Sequence, residues 1–579
     1  MNKLRFRFCP FLLLVAPVLS PRLQAQPVIT GVLNAASYAL PGLPHSDIAQ
    51  GSMFVIFGQN LAQGKLVLAT APYSTEFEGC SIRVSGGGVT ADAVLIYTSF
   101  NQVAAILPSR IPPGDATITV TYRFLPDQME KTSAPASIRV ARSSFGIFTR
   151  NQAGSGPGIV QNYNSATDQP VNALTAPVRP GQVMILWGTG LGPVSFDETQ
   201  LPQVGDLNVD VEVVVGNKSA RVLYKGRSPQ FPGIDQINFE VPADAPVGCH
   251  VPLAVRAGGV VSNFASIAIA SAGAVCSDAI GFSAADMEKL RSTGQLRLGE
   301  VTLIKATAVE FKGIVDVVSA MFTRHGPASS LNVISVGRDA DQSPGPHLPY
   351  GACTVFSGRP PAITAFFNLG IGSEPFPPQR LRGGPFIDIQ GPRGAKQIAK
   401  RSTSDWYTAS VGGGIPGQTT SDDYGPEYLV PGLYTVDHQA GPDVGAFTAT
   451  LTLPAPIQWT NQDSFSVVRR SQDLTVTWTG GDSAKEFVEV NVTSYDTTRA
   501  VAAEITCTER ASAGRFTIPS WLLSTLPASS GSFSGTSLPA GRVNFRTYTI
   551  VEPARFQAEG IDVGYFGYEV INLKSAAIQ

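Results

Sequence analysis

Apolar and polar residues alternate in short segments along most of the chain, and Gly, Pro, Asn and Asp separate one segment from the next. Residues 447–453 alternate strictly, and residues 473–478 and 487–493 are clear strand candidates on either side of a turn at 480–482. A period of two predicts strands with one buried face, and many short strands predict sheets packed face to face. We therefore expect Trp478 to be a core residue, with sugar stacking as the alternative.

Residues 283–290 are the best candidate for a helix. Ser283 can cap the first turn, and the acidic residues Asp286 and Glu288 follow it. Strand-like segments resume after this helix, at about 300–306, 313–323, 352–356 and 363–368, and continue towards residue 579. The pattern as a whole predicts an all-β chain.

Three segments of the first half recur later in the same order. Residues 48–61 match 178–191, residues 101–108 match 235–242, and residues 133–141 match 262–270, so the offset between matching segments is nearly constant. A preserved order and spacing predict two tandem Ig-like β-sandwiches, at 28–149 and 150–275. Further β-sandwich-like domains are expected after them: a β-rich unit of unknown type at 276–455, and a C-terminal β-sandwich at 456–579 for which an Ig-like form is one option.

Specific motifs accompany these repeats. They are the segment 34–38, the strand from Gly51 to Gly58, the segment 145–148 at the junction, and the segment 187–193. On these motifs, residues 28–275 resemble the Solibacter-type C-terminal pair of Ig-like (IPT/TIG-like) domains of secreted acidobacterial proteins. The resemblance implies an Ig-like fold and export, but no reaction, because this family has no established activity. In the family the pair stands at the C-terminus, whereas here the segment 276–579 follows it.

The segment 1–25 has the layout of a secretory signal peptide. Lys3, Arg5 and Arg7 precede an apolar stretch at about 8–19, and Ala25 offers a small residue for cleavage before Gln26. No later stretch reaches the roughly 18 apolar residues of a spanning helix. We expect a secreted or cell-surface protein, with the periplasm as a further option.

Charge narrows the range of partners. Removal of the segment 1–25 takes away four basic residues and no acidic ones, so the formal charge moves from −2 to −6. Phosphate binding needs clustered Lys and Arg, so a mildly acidic chain without a basic stripe argues against nucleic acid.

Five cysteines follow the signal peptide. The strands at 251–255 and 264–270 should form a hairpin that brings Cys249 near Cys276, and export makes a disulfide there feasible. Of the remaining three, Cys353 and Cys507 are the second expected pair, which leaves Cys80 unpaired.

Known catalytic motifs are absent from the sequence. The five histidines are scattered and are expected to be loop or surface residues, and the segment 188–193 is expected to be a turn rather than a phosphate loop. Asp339, Asp341 and Ser343 place oxygen ligands at alternating positions, as a calcium loop does, although Pro344 and Tyr350 break that pattern and an exposed polar loop is the alternative. No other cofactor is expected.

These observations favour an exported, non-enzymatic binding, adhesion or structural protein, with an extracellular polysaccharide or a surface protein as its expected partner. The alternative is a carbohydrate-binding or polysaccharide-acting protein with its site in residues 276–455. An exposed row of Trp406, Tyr407, Asp422, Asp423 and Tyr424 would favour that alternative. A scaffold that pairs through an open strand edge or an unpaired cysteine is a third option.

Overall fold

The computed structural model describes residues 26–124, 129–310, 312–326, 347–359, 378–401, 404–414, 425–482, 484–532, 537–549 and 555–579. The predicted signal peptide, the predicted strand at 363–368 and the calcium candidates Asp339, Asp341 and Ser343 lie outside these ranges. About 53% of the chain is strand and about 4% is helix, which confirms the all-β prediction. Among the helices in these ranges, none is long and apolar enough to span a membrane.

The first sandwich contains twelve strands: β1 Val28–Asn34, β2 Ile48–Ala49, β3 Met53–Gln59, β4 Val67–Leu68, β5 Glu76–Phe77, β6 Cys80–Gly86, β7 Val89–Asp92, β8 Val94–Thr98, β9 Gln102–Ile106, β10 Gly114–Phe124, β11 Met129–Thr132 and β12 Ala136–Ala141. One sheet has the order β1-β3-β9-β8-β4 and the other β2-β12-β10-β6-β5, with β7 on β6 and β11 on β10. Alternate residues of both sheets, such as Phe54 and Ile118, form one buried core between them.

The second sandwich repeats this arrangement with β13 Gly146–Ile147, β14 Val160–Asn162, β15 Val183–Thr189, β16 Val211–Val215, β17 Lys218–Arg227, β18 Asp235–Glu240, β19 Gly248–Ala257, β20 Val260–Val261 and β21 Ala265–Ile269. β17 pairs first with β16 and then with β18, so it passes from one sheet to the other. In the first sandwich β7 pairs with β6 and β8 with β9, with a break at Ala93 between them. The second core already includes Phe145, which precedes the predicted boundary at residue 150.

The remaining elements are α1 Ala284–Thr293, β22 Leu296–Ala308, β23 Gly313–His325, β24 Cys353–Gly358, β25 Gln379–Arg380, β26 Phe386–Gly391, β27 Gly394–Ala399, β28 Trp406–Gly414, β29 Gly432–His438, β30 Phe447–Leu453, β31 Gln458–Trp459, β32 Val467–Val468, β33 Leu474–Thr479, β34 Glu486–Asp496, β35 Val501–Arg510, β36 Arg515–Ile518, α2 Ser520–Leu523, β37 Gly541–Thr549, β38 Arg555–Ala558, β39 Ile561–Ser575 and β40 Ala577–Ile578. The predicted helix is α1. Its cap is reciprocal, because the Ser283 hydroxyl accepts from Asp286 N and the Asp286 carboxylate accepts from Ser283 N.

A ten-stranded sheet unites the part of the chain that follows the second sandwich. Its order is β24-β35-β34-β37-β39-β22-β23-β25, with β28 on β23 and β38 on β39. Its strands come from both sides of the predicted boundary between 276–455 and 456–579, and β22 runs parallel to β39 over a long register. The prediction of two separate units is therefore wrong at this boundary, because a pairing between residues so far apart leaves no trace in the local pattern.

Two smaller layers cover one face of the ten-stranded sheet. The four-stranded sheet β27-β26-β29-β30 packs on the half around Phe322 and Tyr407. The sheet β31-β33-β36 packs on the other half, where Trp478 is 2% exposed. The prediction that Trp478 is a core residue is confirmed, and its indole N–H donates to Ala511 O at 2.7 Å.

Residues of both sandwiches join this last core. Leu43 of the first sandwich and Phe264 of the second belong to the same buried cluster as Trp478. Arg256 of the second sandwich also lies over the Trp521 ring, with its guanidinium carbon 5.6 Å from the ring centroid. The three units therefore share an apolar cluster instead of meeting only through connecting segments.

Candidate functional site

The face of the ten-stranded sheet opposite to these two layers carries polar residues. In β34, Val488, Val490 and Val492 enter the core, so Glu489 and Asn491 between them point to the opposite face. We call this opposite face, from β35 through β34, β37 and β39 to β22, the polar face.

Strand register collects the polar side chains of this face into rows. Thr493, Asn491 and Glu489 of β34 stand opposite three residues of β35 on one side and three residues of β37 on the other. The neighbours on β35 are Glu504, Thr506 and Thr508, and the neighbours on β37 are Arg542, Asn544 and Arg546. All nine residues are buried. A buried sheet face is normally apolar, so this composition requires an explanation.

Arg546 is the centre of a buried ion-pair network. Its Nε lies 2.6 Å from Glu569 Oε1, and its Nη1 lies 3.8 Å from Glu489 Oε1. Burial disfavours the charged guanidinium, but the carboxylates of Glu569, Glu489 and Glu504 together hold the pKa of Arg546 above its ordinary value. Arg546 therefore stays positively charged inside the protein.

Threonine hydroxyl groups, not an arginine, hydrogen-bond to the carboxylate of Glu504. Its carboxylate accepts hydrogen bonds from Thr493 Oγ1 at 2.7 Å and from Thr506 Oγ1 at 3.4 Å. Burial raises the pKa of Glu504, and the Thr493 hydrogen bond and the charge of Arg542 only partly offset this effect. The polar face thus holds glutamates in two settings, Glu569 beside an arginine and Glu504 beside two threonine hydroxyls.

Several buried oxygen atoms of the polar face have no hydrogen-bond partner among the residues that the structure describes. They are Asn491 Oδ1, Asn544 Oδ1, Thr508 Oγ1 and Thr302 Oγ1. Asn491 and Asn544 stand directly opposite each other, whereas the Asn491 amide nitrogen is satisfied by Thr506 Oγ1 at 2.8 Å. A buried polar atom without a partner destabilises the fold by about 1–3 kcal/mol.

Aromatic rings lie at one end of the polar face. Phe487 and Tyr548 stack with their centroids 4.8 Å apart, and His347 packs edge-on against both rings. His347 Nδ1 is 3.9 Å from Glu489 Oε2, so this group adjoins the ion-pair network.

Trp406 and Tyr407, two members of the row that would favour the carbohydrate alternative, lie on opposite faces of the sheet. Trp406 lies on the same sheet face as Ser319 and donates to its hydroxyl at 3.0 Å, whereas Tyr407 points into the opposite core and donates to Gly384 O. Successive residues of a strand face opposite sides, which is why these neighbours separate. Asp422, Asp423 and Tyr424 lie outside the described residues.

The prediction that the histidines are loop or surface residues is wrong for three of them. His250, His325 and His438 lie in strands β19, β23 and β29. His45 and His347 lie in connecting segments, but all five histidines are less than 9% exposed. Isolated histidines give no periodic signal, so sequence could not reveal that they pack inside. The described residues contain no group of three or more His, Cys, Asp or Glu arranged to hold a metal ion.

Both expected disulfides are present. Cys249 pairs with Cys276, with Cα atoms 5.1 Å apart, and Cys353 pairs with Cys507 across neighbouring strands β24 and β35. Cys80 is unpaired, and burial raises the pKa of its thiol to about 12, which makes it unreactive.

A cleft lies between the two sandwiches. Arg227, Glu198, Phe196 and Ile106 help to line it, and its cavity volume of about 10 Å³ is room for about one water molecule. Arg227 is already engaged, because it pairs with Asp235 and donates to two backbone carbonyls. This cleft is a structural joint.

No family model matches the chain, and no curated protein matches it. Among solved structures, a tetra-tandem repeat in the extending region of a large adhesion protein is 10% identical, with 94% of this chain and 97% of that chain covered and a TM-score of 0.13. Dimeric latent PorU from Porphyromonas gingivalis is 10% identical over 74% of this chain and 34% of that chain, with a TM-score of 0.17. An auxiliary nutrient binding protein from Bacteroides thetaiotaomicron is 8% identical over 74% of this chain and 84% of that chain, with a TM-score of 0.13. Similarities this distant transfer no function to the chain.

Proposed function

We propose that this protein is an exported, non-enzymatic binding protein and that the polar face of the ten-stranded sheet serves this role. The observation that carries the proposal is the set of four buried oxygen atoms without partners, among the described residues, on one sheet face. A face with a purely structural role would be more stable if these side chains were apolar. Polar groups that destabilise the free protein are retained where a ligand uses them.

Other features of the chain support export. Two disulfides fit an oxidising compartment. The resemblance of residues 28–275 to the Solibacter-type domain pair of secreted proteins also supports export. In this proposal the two sandwiches hold the large sheet in a fixed position relative to the rest of an adhesive or structural assembly.

The test combines binding with stability. Thr508→Val removes one unpartnered hydroxyl without changing the shape of the side chain. We expect Thr508→Val to raise the free energy of unfolding by about 1 kcal/mol and to weaken ligand binding. Thr450→Val, on the exposed side of β30, is the matched control and should change neither quantity.

Binding is measured by screening the purified protein on glycan and peptide arrays and then by titration calorimetry, and stability by urea unfolding. The contradicting outcome is a Thr508→Val variant that is less stable than the parent and binds every captured ligand equally well. In that case the polar face would not be the site of binding.

A second candidate function is hydrolysis of a polysaccharide. Its support is the contrast between Glu504, whose pKa is raised by burial, and Glu569, which is ion-paired to Arg546. A glycosidase needs two carboxyl groups in different environments, one acting as the acid. Release of reducing ends from a polysaccharide that the protein binds, abolished by Glu504→Gln, would replace the binding role with this one.

A further inference from the structure

Lys305 and Asp316 form a charged pair inside an apolar part of the molecule. The two residues stand directly opposite each other on β22 and β23. Their side chains point to the same sheet face as Leu303 and Val318, which belong to the core between the ten-stranded and the four-stranded sheet. Lys305 is 8% exposed and Asp316 is fully buried, so both charges are held largely away from water.

The amine and the carboxyl group of this pair are close enough to react. Lys305 Nζ lies 3.1 Å from Asp316 Oδ1, which is one covalent bond from the carboxyl carbon. Nucleophilic attack requires that the reacting atoms be held about 3–3.5 Å apart. Apart from the amine, Asp316 Oδ1 has no partner among the residues that the structure describes. No other described group therefore holds this oxygen in place.

The second carboxyl oxygen of Asp316 is held by two backbone amides. Tyr428 N donates to Asp316 Oδ2 at 2.6 Å, and Leu429 N donates to the same atom at 2.8 Å. Gly412 stands opposite Asp316 on β28, and a Cβ at Gly412 would lie 2.5 Å from Tyr428 N, so only glycine leaves room for this amide. Two N–H donors on one oxygen stabilise the negative charge that develops there when a nucleophile adds to the carbon.

A second carboxylate contacts the amine. Lys305 Nζ donates to Glu427 Oε2 at 2.9 Å, and the Glu427 side chain is 45% exposed, so it connects the buried amine with solvent. Glu427 immediately precedes Tyr428 and Leu429, so three consecutive residues supply a proton acceptor and both backbone donors. A carboxylate in this position can take a proton from the amine and pass it to a leaving oxygen.

We propose that Lys305 and Asp316 condense to an amide bond once the chain has folded, with Glu427 as the proton carrier. Glu427 removes a proton from the Lys305 ammonium group, and the neutral amine attacks the carboxyl carbon of Asp316. The N–C bond forms and the C–Oδ1 bond breaks. Of the three ammonium protons, one stays on the amide nitrogen and two go to Oδ1, which leaves as water.

The reaction needs no other reactant, because the ammonium and carboxylate groups together contain all the atoms of the amide and of the water. It removes two buried charges, and the former Oδ2 of Asp316 keeps its two backbone donors as the amide oxygen. The product joins β22 to β23 covalently inside the ten-stranded sheet. This inference is independent of the ligand that the protein binds.

The experiment measures the intact mass of the full protein after unfolding and reduction of its disulfides. We expect a mass one water molecule below the calculated mass, and a proteolytic fragment in which Lys305 is joined to Asp316. Lys305→Arg keeps a positive charge beside Asp316 but should have its full calculated mass. Glu427→Gln should slow the condensation by about a hundredfold and leave freshly purified protein largely at its full mass.

Lys400→Arg is the matched control. Lys400 Nζ also lies 3.1 Å from an aspartate oxygen, that of Asp405, but both side chains are partly exposed, so this variant should lose one water as the parent does. Urea unfolding verifies that each variant folds. If Lys305→Arg does not fold, the joined fragment of the parent protein decides alone.

Two results would overturn the proposal. A folded parent protein at its full calculated mass would show that Lys305 and Asp316 form an ordinary buried ion pair. A loss of water that persists in folded Lys305→Arg would show that another group is responsible. Condensation that Glu427→Gln does not slow would overturn the assignment of Glu427 as the proton carrier.

Discussion

Asp278 follows the Cys249–Cys276 disulfide and is partly buried. One carboxylate oxygen accepts from Cys249 N at 2.7 Å, and the other has no partner among the described residues. Burial raises the pKa of Asp278 to about 7, against the opposing effect of its backbone hydrogen bonds. At neutral pH a single proton therefore decides whether a charge is present at this junction.

Asp278→Asn should make the protein more stable above pH 7 and leave it nearly unchanged at pH 4. A raised pKa means that the folded state binds the proton more tightly than the unfolded state. The contribution of Asp278 to the free energy of unfolding is thus fully present below about pH 4 and is lost as the pH rises through about 7. The asparagine amide oxygen of the variant can still accept the hydrogen bond from Cys249 N. Because the asparagine does not titrate, the variant lacks this loss of stability at high pH, which is at most about 4 kcal/mol. Urea unfolding at pH 4 and pH 8 measures it, and equal gains at both values would contradict the prediction.

Among the elements, β37 and β39 depend on the Arg546–Glu569 pair. Arg546→Met should lower the free energy of unfolding by about 3–5 kcal/mol, because it leaves a buried carboxylate without its counter-charge. The double variant Arg546→Met with Glu569→Leu should recover most of the loss. Urea unfolding of the four proteins completes the double-mutant cycle.

An exposed ion pair provides the control for this cycle. Arg83 and Asp92 pair at 2.9 Å on β6 and β7 with both side chains open to solvent, so Arg83→Met should change stability little. A double variant no more stable than Arg546→Met would show that lost packing, not the unpaired charge, causes the effect.

Elements with a local signal could be predicted, and elements defined by distant pairing could not. The two sandwiches followed from the recurring segments, α1 from its cap at Ser283, and the Cys249–Cys276 disulfide from the hairpin around it. The parallel pairing of β22 with β39 has no local signature. The polar face was missed because Glu489 and Asn491 fit an ordinary half-exposed strand. The matching alternation of Arg542, Asn544 and Arg546 was the available signal, since opposite charges on adjacent strands stabilise their pairing.

On the scale of the whole molecule, Arg227 fixes one sandwich against the other. It pairs with Asp235 and donates to Gly51 O of the first sandwich at 2.8 Å. Nearby, Met53 N of the first sandwich donates to Thr189 Oγ1 of the second at 2.8 Å. These contacts make the orientation of the two sandwiches part of the folded structure.

Arg227→Met should loosen this joint without unfolding either sandwich. Asp235 would be left buried without its partner, so local opening becomes easier. Hydrogen exchange should accelerate at least tenfold at the amides of Met53, Gly190 and Leu191, while the amide of Ile118 in the first core keeps its rate. Equal acceleration at all of these amides would show that the joint and the sandwiches open as one unit.

The parallel pairing of β22 with β39 determines how the protein responds to a pulling force. Tension between Leu296, where β22 begins, and Ser575, where β39 ends, pulls the two strands in opposite directions along their length. The hydrogen bonds from Leu298–Val563 to Ala308–Leu573 are then loaded together in shear and cannot open one after another. The large sheet therefore resists extension in this direction.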